Sequence, residues 1–345
     1  MVLEEEEEFV LKVLELFCGA GSFSVGLNTL GIEHEIVGFS DVRESAIKLF
    51  CKIHDKDPRE NLGDVKNLNA KNMDVDLLVF GSPCQSFTRA GRQEGANKKG
   101  DSKSSLMWEA VRIMNECKPK WIVWENVPDA INKRHFNNYE DYMLELDEMN
   151  YNTYYTVLNA HDLGSAQKRK RLFSVSIRKD IDNGKFKFLN FEQKANKLNT
   201  YLDKQEDNKH NVEPKVLAKL VVYKDELTYR VRNGTKLGYL EVEDGDSVDT
   251  IYPTSKTRRG RVQKESAHTM MRARTIATLQ GNELRYLTPF EVWKLQEMPI
   301  ELYSKVEDCG FGLGEVYDVV GGVINQYHLK TVFTSLQKSF AWNKK

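Results

Sequence analysis

Val75-Asp76-Leu77-Leu78-Val79-Phe80-Gly81-Ser82-Pro83-Cys84-Gln85-Ser86-Phe87 passes from an apolar run into a short turn that ends on a thiol. The run from Val75 to Phe80 carries a single charge and reads as a strand buried on both faces, the kind found inside parallel sheets. Open α/β sheets keep their chemistry just beyond the carboxyl ends of such strands, which is where Cys84 falls. Pro83 fixes its own φ and keeps Ser82 extended, so a stiff backbone aims the sulfur. A free cysteine in an arbitrary chain is more often a small buried hydrophobe. Its company along the chain decides between the two readings.

Outward from this strand, apolar runs of strand length alternate with helical patterns from residue 12 to about 178, the signature of βαβ units and a parallel sheet. Strands are predicted near 12–17, 35–39, 75–80, 120–125, 151–158 and 171–177, with helices between them. After residue 180 the character changes. Gln193 to Asn211 is polar, Val216 to Val222 resumes order, and residues 228–280 read as short strands joined by turns such as Asn233-Gly234 and Asp244-Gly245. A second, smaller domain is expected at 181–282. Helix returns from Leu287 to Lys338, with Thr288 as N-cap and Pro289 in the first turn.

The chain of 345 residues, 40% hydrophobic, is long enough for a large core plus a smaller unit. No apolar stretch approaches the roughly 20 residues of a membrane-spanning helix. The N-terminus opens with Glu4 to Glu8 instead of a signal pattern, so a soluble, unexported, cytoplasmic protein is expected. Five cysteines, an odd number without a C-x-x-C pair, argue against a disulfide framework and against a zinc site. Net charge is only −1, yet residues 161–280 hold 25 Lys and Arg against 16 Asp and Glu, and the remainder holds 25 against 35. A basic region on an acidic body is the footprint of a surface that neutralises phosphates. A solvated face with no ligand would look the same by charge alone.

Leu14-Glu15-Leu16-Phe17-Cys18-Gly19-Ala20-Gly21-Ser22-Phe23 sets a glycine-bearing turn between a strand and a helix, which suits an anion or nucleotide because glycine lets backbone approach closely. A dinucleotide dehydrogenase or plain tight packing would give the same pattern. Asp41, twenty residues after Gly21, is placed to bond ribose hydroxyls. Glu125 ends the next long strand, in Trp121-Ile122-Val123-Trp124-Glu125-Asn126-Val127-Pro128, and so reaches the same edge as Cys84. In Gln167-Lys168-Arg169-Lys170-Arg171-Leu172-Phe173, Arg169 and Arg171 alternate about Lys170 and are expected on one face of a strand.

These segments, taken in order with Arg285-Tyr286-Leu287-Thr288-Pro289-Phe290-Glu291 and its continuation to Pro299, resemble the cytosine-C5 DNA methyltransferase family, of the compact prokaryotic or phage type, over residues 12–178 and 283 to about 338. The resemblance implies a Rossmann-like, S-adenosylmethionine-dependent methyltransferase sheet in a discontinuous domain, 1–180 and 283–345, with 181–282 as a target-recognition domain. It implies S-adenosyl-L-methionine held by residues matching Phe17, Gly19, Gly21, Asp41, Asp64, Val65, Leu106 and Gly321. Cys84 is then the nucleophile that adds to cytosine C6, Glu125 the acid near N3, and Arg169 and Arg171 the groups at O2 and beside the thiolate.

The substrate implied is double-stranded DNA with the target base flipped out, under a loop matching Ser86 to Lys103. Gln85, Ser86, Arg258, Arg259, Arg261 and Arg272 are the expected DNA contacts. A monomer working at the nucleoid is implied, with a cognate restriction endonuclease as a functional partner and with neither metal nor membrane. One departure stands out. Where the family has Gly-Asn-x-Val, this chain has Gly321-Gly322-Val323-Ile324, so either cofactor affinity is weaker or Asn325 substitutes. Two further readings stay open, a tRNA methyltransferase suggested by Phe87-Thr88-Arg89 and a catalytically silent DNA-binding homologue.

Overall fold

A six-stranded sheet organises the first of two compact units. The computed structural model describes residues 9–84, 96, 103–204, 209–225, 228–340 and 342. The strands are β1 (Leu11–Leu16), β2 (His34–Ser40), β3 (Leu77–Phe80), β4 (Trp121–Asn126), β5 (Tyr151–Asn159) and β6 (Lys170–Arg178), ordered β2-β1-β3-β4-β6-β5. β2, β1, β3 and β4 run parallel, and β6 is antiparallel to β4. The helices α1 (Ser22–Thr29), α2 (Glu44–His54), α3 (Met107–Cys117) and α4 (Phe136–Glu148) occupy the connections. This is the α/β, Rossmann-like sheet that the alternating pattern predicts, and each predicted strand lies within two residues of its observed bounds.

All four residues of β3 are buried, as a central parallel strand requires. Asp76, immediately before it, fastens the strand starts: its carboxylate accepts the Lys12 N–H at 3.1 Å and pairs with Lys120 Nζ at 2.7 Å. Leu14, Leu16, Leu78, Phe80, Ile122 and Trp124 meet Met107, Ala110, Ile113 and Met114 of α3 and Tyr139, Tyr142 and Leu146 of α4 in one core. Trp124 is stacked between Phe80 and Tyr139, with centroids 5.9 and 5.8 Å away. Each fully buried side chain of this size contributes about 1.5–3 kcal/mol of hydrophobic stabilisation.

The second unit comprises Asn159–Arg169 and Glu192–Tyr327, and the first takes the remaining segments. It holds α5 (Pro214–Leu220), β7 (Val221–Lys224), β8 (Tyr229–Arg232), β9 (Tyr239–Val242), β10 (Ser247–Asp249), β11 (Arg261–Gln263), β12 (Ile276–Gln280) and β13 (Glu283–Tyr286). These strands form antiparallel sheets ordered β7-β8-β9 and β11-β10-β12-β13. Val212, Tyr229, Val231, Val242, Val248, Ala277 and Leu284 bind both sheets into one core. The helices α6 (Pro289–Leu295), α7 (Tyr303–Glu307) and α8 (Leu313–Gly322) follow, and α9 (Gln326–Phe340) ends the described fold.

This division differs from the expected 181–282. Hydrogen bonds give the reason: Ala267 N–H reaches the Ala166 carbonyl at 2.8 Å, Gln167 Nε2 the Leu295 carbonyl at 2.9 Å, and Tyr317 Oη the Leu287 carbonyl at 2.6 Å. They tie residues 159–169 and the helices α6 to α8 to the smaller sheets. The closing helical run is also broken into four helices. The first has the predicted cap, with Thr288 Oγ1 accepting the Glu291 N–H at 3.1 Å and Glu291 Oε2 accepting the Thr288 N–H at 2.7 Å. Glu291 also holds the buried Arg285 guanidinium through both oxygens, at 2.7 and 2.8 Å. No helix among the described residues is long and apolar enough to cross a membrane.

One carboxyl group lies inside the parallel sheet. Glu15 of β1 is fully buried, with Oε1 accepting the Ser24 N–H at 2.8 Å and the Ser24 hydroxyl. Burial disfavours the anion more than these bonds favour it, and lifts the carboxyl to about 7. Between about 4.5 and 7 the folded chain therefore holds a proton that the unfolded chain has lost, and stability falls as pH rises through that window. The loss totals ~3 kcal/mol. Glu15→Gln is expected to flatten this part of the pH–stability profile, measured by urea unfolding at each pH. An unchanged slope in the variant would assign the dependence to another group.

Candidate active site

Register decides what can meet at the carboxyl edge of the large sheet. Leu16 pairs with Ser40 on one side and with Phe80 on the other, and Phe80 pairs with Trp124. The next residues, Phe17, Asp41, Gly81 and Glu125, therefore share that edge. The chain leaves β1 toward β2 in one direction and continues at β3 in the other, so the crevice between β1 and β3 is a topological switch point, where open α/β sheets bind ligands.

The turn after β1 forms one wall. Phe17, Gly19 and Gly21 have φ of 53°, 59° and 71°, and Gly21 is the N-cap of α1. A Cβ on Gly21 would lie 1.9 Å from Nε2 of His54, so only glycine fits against α2. The His54 ring leans on Phe50 at 4.6 Å, and burial depresses its pKa to about 4. Asp41 is anchored to the same turn: Oδ2 accepts the Gly19 N–H at 3.0 Å and the Arg43 guanidinium at 3.1 Å, while Oδ1 accepts the N–H groups of Val42 and Arg43 at 2.9 and 3.0 Å. Asn61 exchanges hydrogen bonds with the Asp41 backbone at 3.0 and 3.1 Å. Ser40 Oγ donates to Gly63 O at 2.6 Å, which brings in the Asp64-Val65 turn. Arg112 of α3 holds that turn through the Val65 carbonyl at 2.8 Å. Phe17, Val65 and Leu106 meet in the core beneath. The structure thus joins the predicted cofactor residues of this unit.

The second wall is the thiol turn. Trp124 Nε1 donates to Ser82 Oγ at 3.1 Å, and Asn126 Nδ2 reaches Ser82 O and Oγ at 3.2 Å. Two alternate residues of β4 therefore clamp the residue before Pro83, and Pro83 delivers Cys84. Glu125, between them, faces the other way, and a Cβ on Gly81 would come within 3.4 Å of its Oε2. Arg171 Nε meets Glu125 Oε1 at 2.8 Å, with both side chains about 15% exposed or less. A half-buried, charge-paired carboxylate thus stands beside the turn that carries the thiol.

Of the five cysteines, Cys18, Cys51 and Cys309 are buried. Burial pushes the Cys18 thiol well up and that of the half-buried Cys117 to about 12. Cys84 stands apart from them, half-buried on the edge turn. Gln85, Ser86 and most of the expected closing loop lie outside the described residues. Ala96 is described and buried, with its N–H on Asn138 Oδ1 at 2.9 Å and its carbonyl taking Trp108 Nε1 at 2.7 Å. No cluster of three or more His, Cys, Asp or Glu among the described residues is arranged to hold a metal ion.

Several expectations need correction. Arg169 does not alternate with Arg171 along a strand, because β6 begins at Lys170. Arg169 is buried in the second unit, where its guanidinium donates to the carbonyls of Met270 at 3.0 Å and Val323 at 3.3 Å. Gly321 serves close packing: a Cβ there would lie 2.0 Å from the Met271 carbonyl oxygen. Asn325 is buried, its Nδ2 donating to Leu295 O at 3.0 Å and its Oδ1 accepting the Tyr327 N–H at 3.1 Å. Arg261 and Arg272 are tied to Asp249 and Asp318. Val42, 67% exposed beside Asp41, is a part of the cradle that sequence reading passed over, as are Arg43, His54 and the Ser82 clamp. Only the apolar character of Val42 directly after the ribose-type acid could have signalled it.

Comparison with known proteins agrees with this geometry. The profile of the C-5 cytosine-specific DNA methylase family matches residues 11–338. Over 185 residues the chain is 36% identical to the orphan methyltransferase M.SPRI of Bacillus phage SPR, covering 53% of this chain and 42% of that protein. Over 247 residues it is 30% identical to the type II methyltransferase M.HhaI of Haemophilus parahaemolyticus, covering 71% of each. The chain thus spans less than half the length of the phage relative and about two thirds or more of the bacterial one. The fold matches the solved structure of the Entamoeba histolytica methyltransferase EhMeth with a TM-score of 0.69 at 16% identity, over 96% of this chain and 99% of that one. Motif order, sheet topology and the family match converge, and the chain belongs to the C-5 cytosine-specific DNA methylase family.

Proposed function

We propose that this chain is a DNA (cytosine-5)-methyltransferase that transfers a methyl group from S-adenosyl-L-methionine to C5 of a cytosine flipped out of duplex DNA. The observation that carries the proposal is the shared sheet edge, where the Cys84 turn, the Glu125–Arg171 pair and the glycine turn after β1 stand side by side. S-adenosylmethionine, when bound, supplies an electrophilic methyl group on a sulfonium. The cradle suits it: Gly19 and Gly21 leave two positions of the β1 turn without a Cβ, Val42 offers exposed apolar surface, and Asp41 is a carboxylate held at the turn. Phe17, Asp64, Val65 and Leu106 complete the set. A ribose hydroxyl at Asp41 would take the place of the Arg43 guanidinium, because all other acceptor positions of that carboxylate are filled by backbone N–H groups.

Cytosine C5 is a poor nucleophile. The Cys84 thiolate adds to C6, and the electron pair of the C5–C6 double bond moves into the ring toward N3 and O2. A proton delivered to N3 through Glu125 stabilises the enamine, whose C5 can then accept the methyl group. A water takes the C5 proton, the Cys84 sulfur departs from C6 as a thiolate, and the N3 proton returns to Glu125, which restores the double bond. Arg171 orients Glu125 from the neighbouring strand β6. The Ser82 clamp from Trp124 and Asn126 fixes where the sulfur starts.

Every proposed catalytic group of this mechanism lies in the first unit, so one copy of the chain suffices and it acts as a monomer. The relatives include orphan and type II methyltransferases, and a restriction endonuclease of matching specificity is the partner the second kind suggests. Action on DNA in the cytoplasm of a bacterial or phage-infected cell accords with their sources.

Methyl-label transfer to duplex DNA and to tRNA, followed by bisulfite sequencing, tests the proposal. DNA is expected to take the label at cytosines in one sequence context, and exclusive labelling of tRNA would overturn it. Glu125→Gln is expected to lower the single-turnover rate roughly 10²–10³-fold, the usual worth of a positioned proton donor, while cofactor affinity stays unchanged. Cys84→Ser is expected to reduce turnover to background. Full activity in either variant would remove that residue from the mechanism.

A further inference from the structure

The Asp41 carboxylate has no acceptor position to spare. Oδ1 accepts the N–H groups of Val42 and Arg43, and Oδ2 accepts that of Gly19 together with the Arg43 guanidinium at 3.1 Å. The backbone bonds are fixed by the turn, whereas the guanidinium belongs to a side chain that can swing away. An incoming hydroxyl therefore competes with Arg43 and with nothing else that yields cheaply.

Arg43 is placed to leave. Its side chain is 35% exposed and that of Asp41 is 6% exposed, so water can take over the guanidinium but not the carboxylate. Arg43 is also the N-cap of α2, with extended backbone (φ −93°, ψ 119°) and no side-chain cap bond. Helix N-caps favour Ser, Thr, Asp or Asn, and the positive end of a helix disfavours a cation. A residue that breaks the local rule beside a binding cradle points to function. The guanidinium lies along the glycine turn as well, since a Cβ on Gly19 would come 3.9 Å from Nη2. With the cradle empty, the pair supplies a counter-charge to a carboxylate that burial would otherwise penalise.

We propose that Arg43 is a removable occupant of the ribose position at Asp41. It closes the carboxylate while the cradle is empty, yields Oδ2 to a ribose hydroxyl of an adenosyl ligand, and returns to hasten release of the demethylated product. This role rests on the function given above and deepens it, because it names the residue that limits affinity. An ion pair is exchanged for a hydrogen bond from a neutral hydroxyl, and no covalent bond changes. A partly exposed pair of this kind is worth a factor of about five at most in low salt, and screening removes it.

Isothermal titration of the full chain with S-adenosylhomocysteine over a salt series tests this role. Arg43→Gln is expected to bind about fivefold more tightly than wild type at low salt, with correspondingly slower dissociation. The gap should close toward about 1 M salt, where the screening length is about 3 Å. Arg43→Lys keeps the charge and should stay with wild type. An analogue of the ligand without its 2′ and 3′ hydroxyls has nothing to exchange for the guanidinium, so Arg43→Gln should leave its affinity unchanged. That analogue keeps the homocysteine charges and so removes any general effect of charge. If the substitution prevents folding, the wild type alone carries the test, because its preference for S-adenosylhomocysteine over the analogue should rise with salt. Equal affinity of wild type and Arg43→Gln across the series would overturn the role. Weaker binding by Arg43→Gln would overturn it too, by making the guanidinium a donor to the ribose. A wild-type chain that binds neither S-adenosylhomocysteine nor S-adenosylmethionine would overturn the proposed function with it.

Discussion

Parallel strand register is the constraint on which this molecule depends. Because Leu16, Ser40, Phe80 and Trp124 are matched across adjacent strands, four loops begin on one line at one edge of the sheet. Groups separated by more than a hundred residues in sequence, such as Phe17 and Glu125, come onto one edge two strands apart through backbone hydrogen bonds. A slip of one residue in any of these strands would exchange its side chains between the two faces of the sheet and carry the adjoining loop away from the line. The apolar core that enforces the register is therefore also what aligns the chemistry.

Polar groups in and beside that core act on the loops. Trp124 and Asn126 hold Ser82, Asp41 holds Gly19, and Arg112 holds the carbonyls of Val65 and Leu68. Each link runs from a regular element to a loop at the carboxyl edge. A buried polar group without such a partner would cost about 1–3 kcal/mol, so the links are stabilising as well as orienting. The second unit uses the same device at Arg169, which is buried and bonded to two carbonyls, and at Arg285, which is locked to Glu291.

Strands were the most legible part of the fold, because a central parallel strand is apolar at nearly every position and the pattern needs no partner to be seen. Cys84, Glu125 and Asp41 were legible for a related reason: each lies at or just beyond the carboxyl end of a predicted strand. Side-chain roles set by distant contacts were not. Arg169, Arg261 and Arg272 look like free cations in sequence, and only folding reveals the carbonyls and carboxylates that occupy them. The division into compact units was not legible for the same cause, since the hydrogen bonds tying residues 159–169 to Ala267 and Leu295 span more than a hundred positions. Gly21 was read as room for a ligand, and it is also room for the ring of His54.

The account stands or falls on the sulfur at the edge of the sheet. Duplex DNA carrying 5-fluorocytosine in the methylated context stalls release of the attacking residue, because the fluorine at C5 cannot leave as the proton does. After reaction with S-adenosylmethionine, proteolysis and mass spectrometry should find the modified pyrimidine attached to the peptide containing Cys84. Attachment to a peptide containing any of the other four cysteines, or methylation of normal DNA with no trapped peptide, would contradict it.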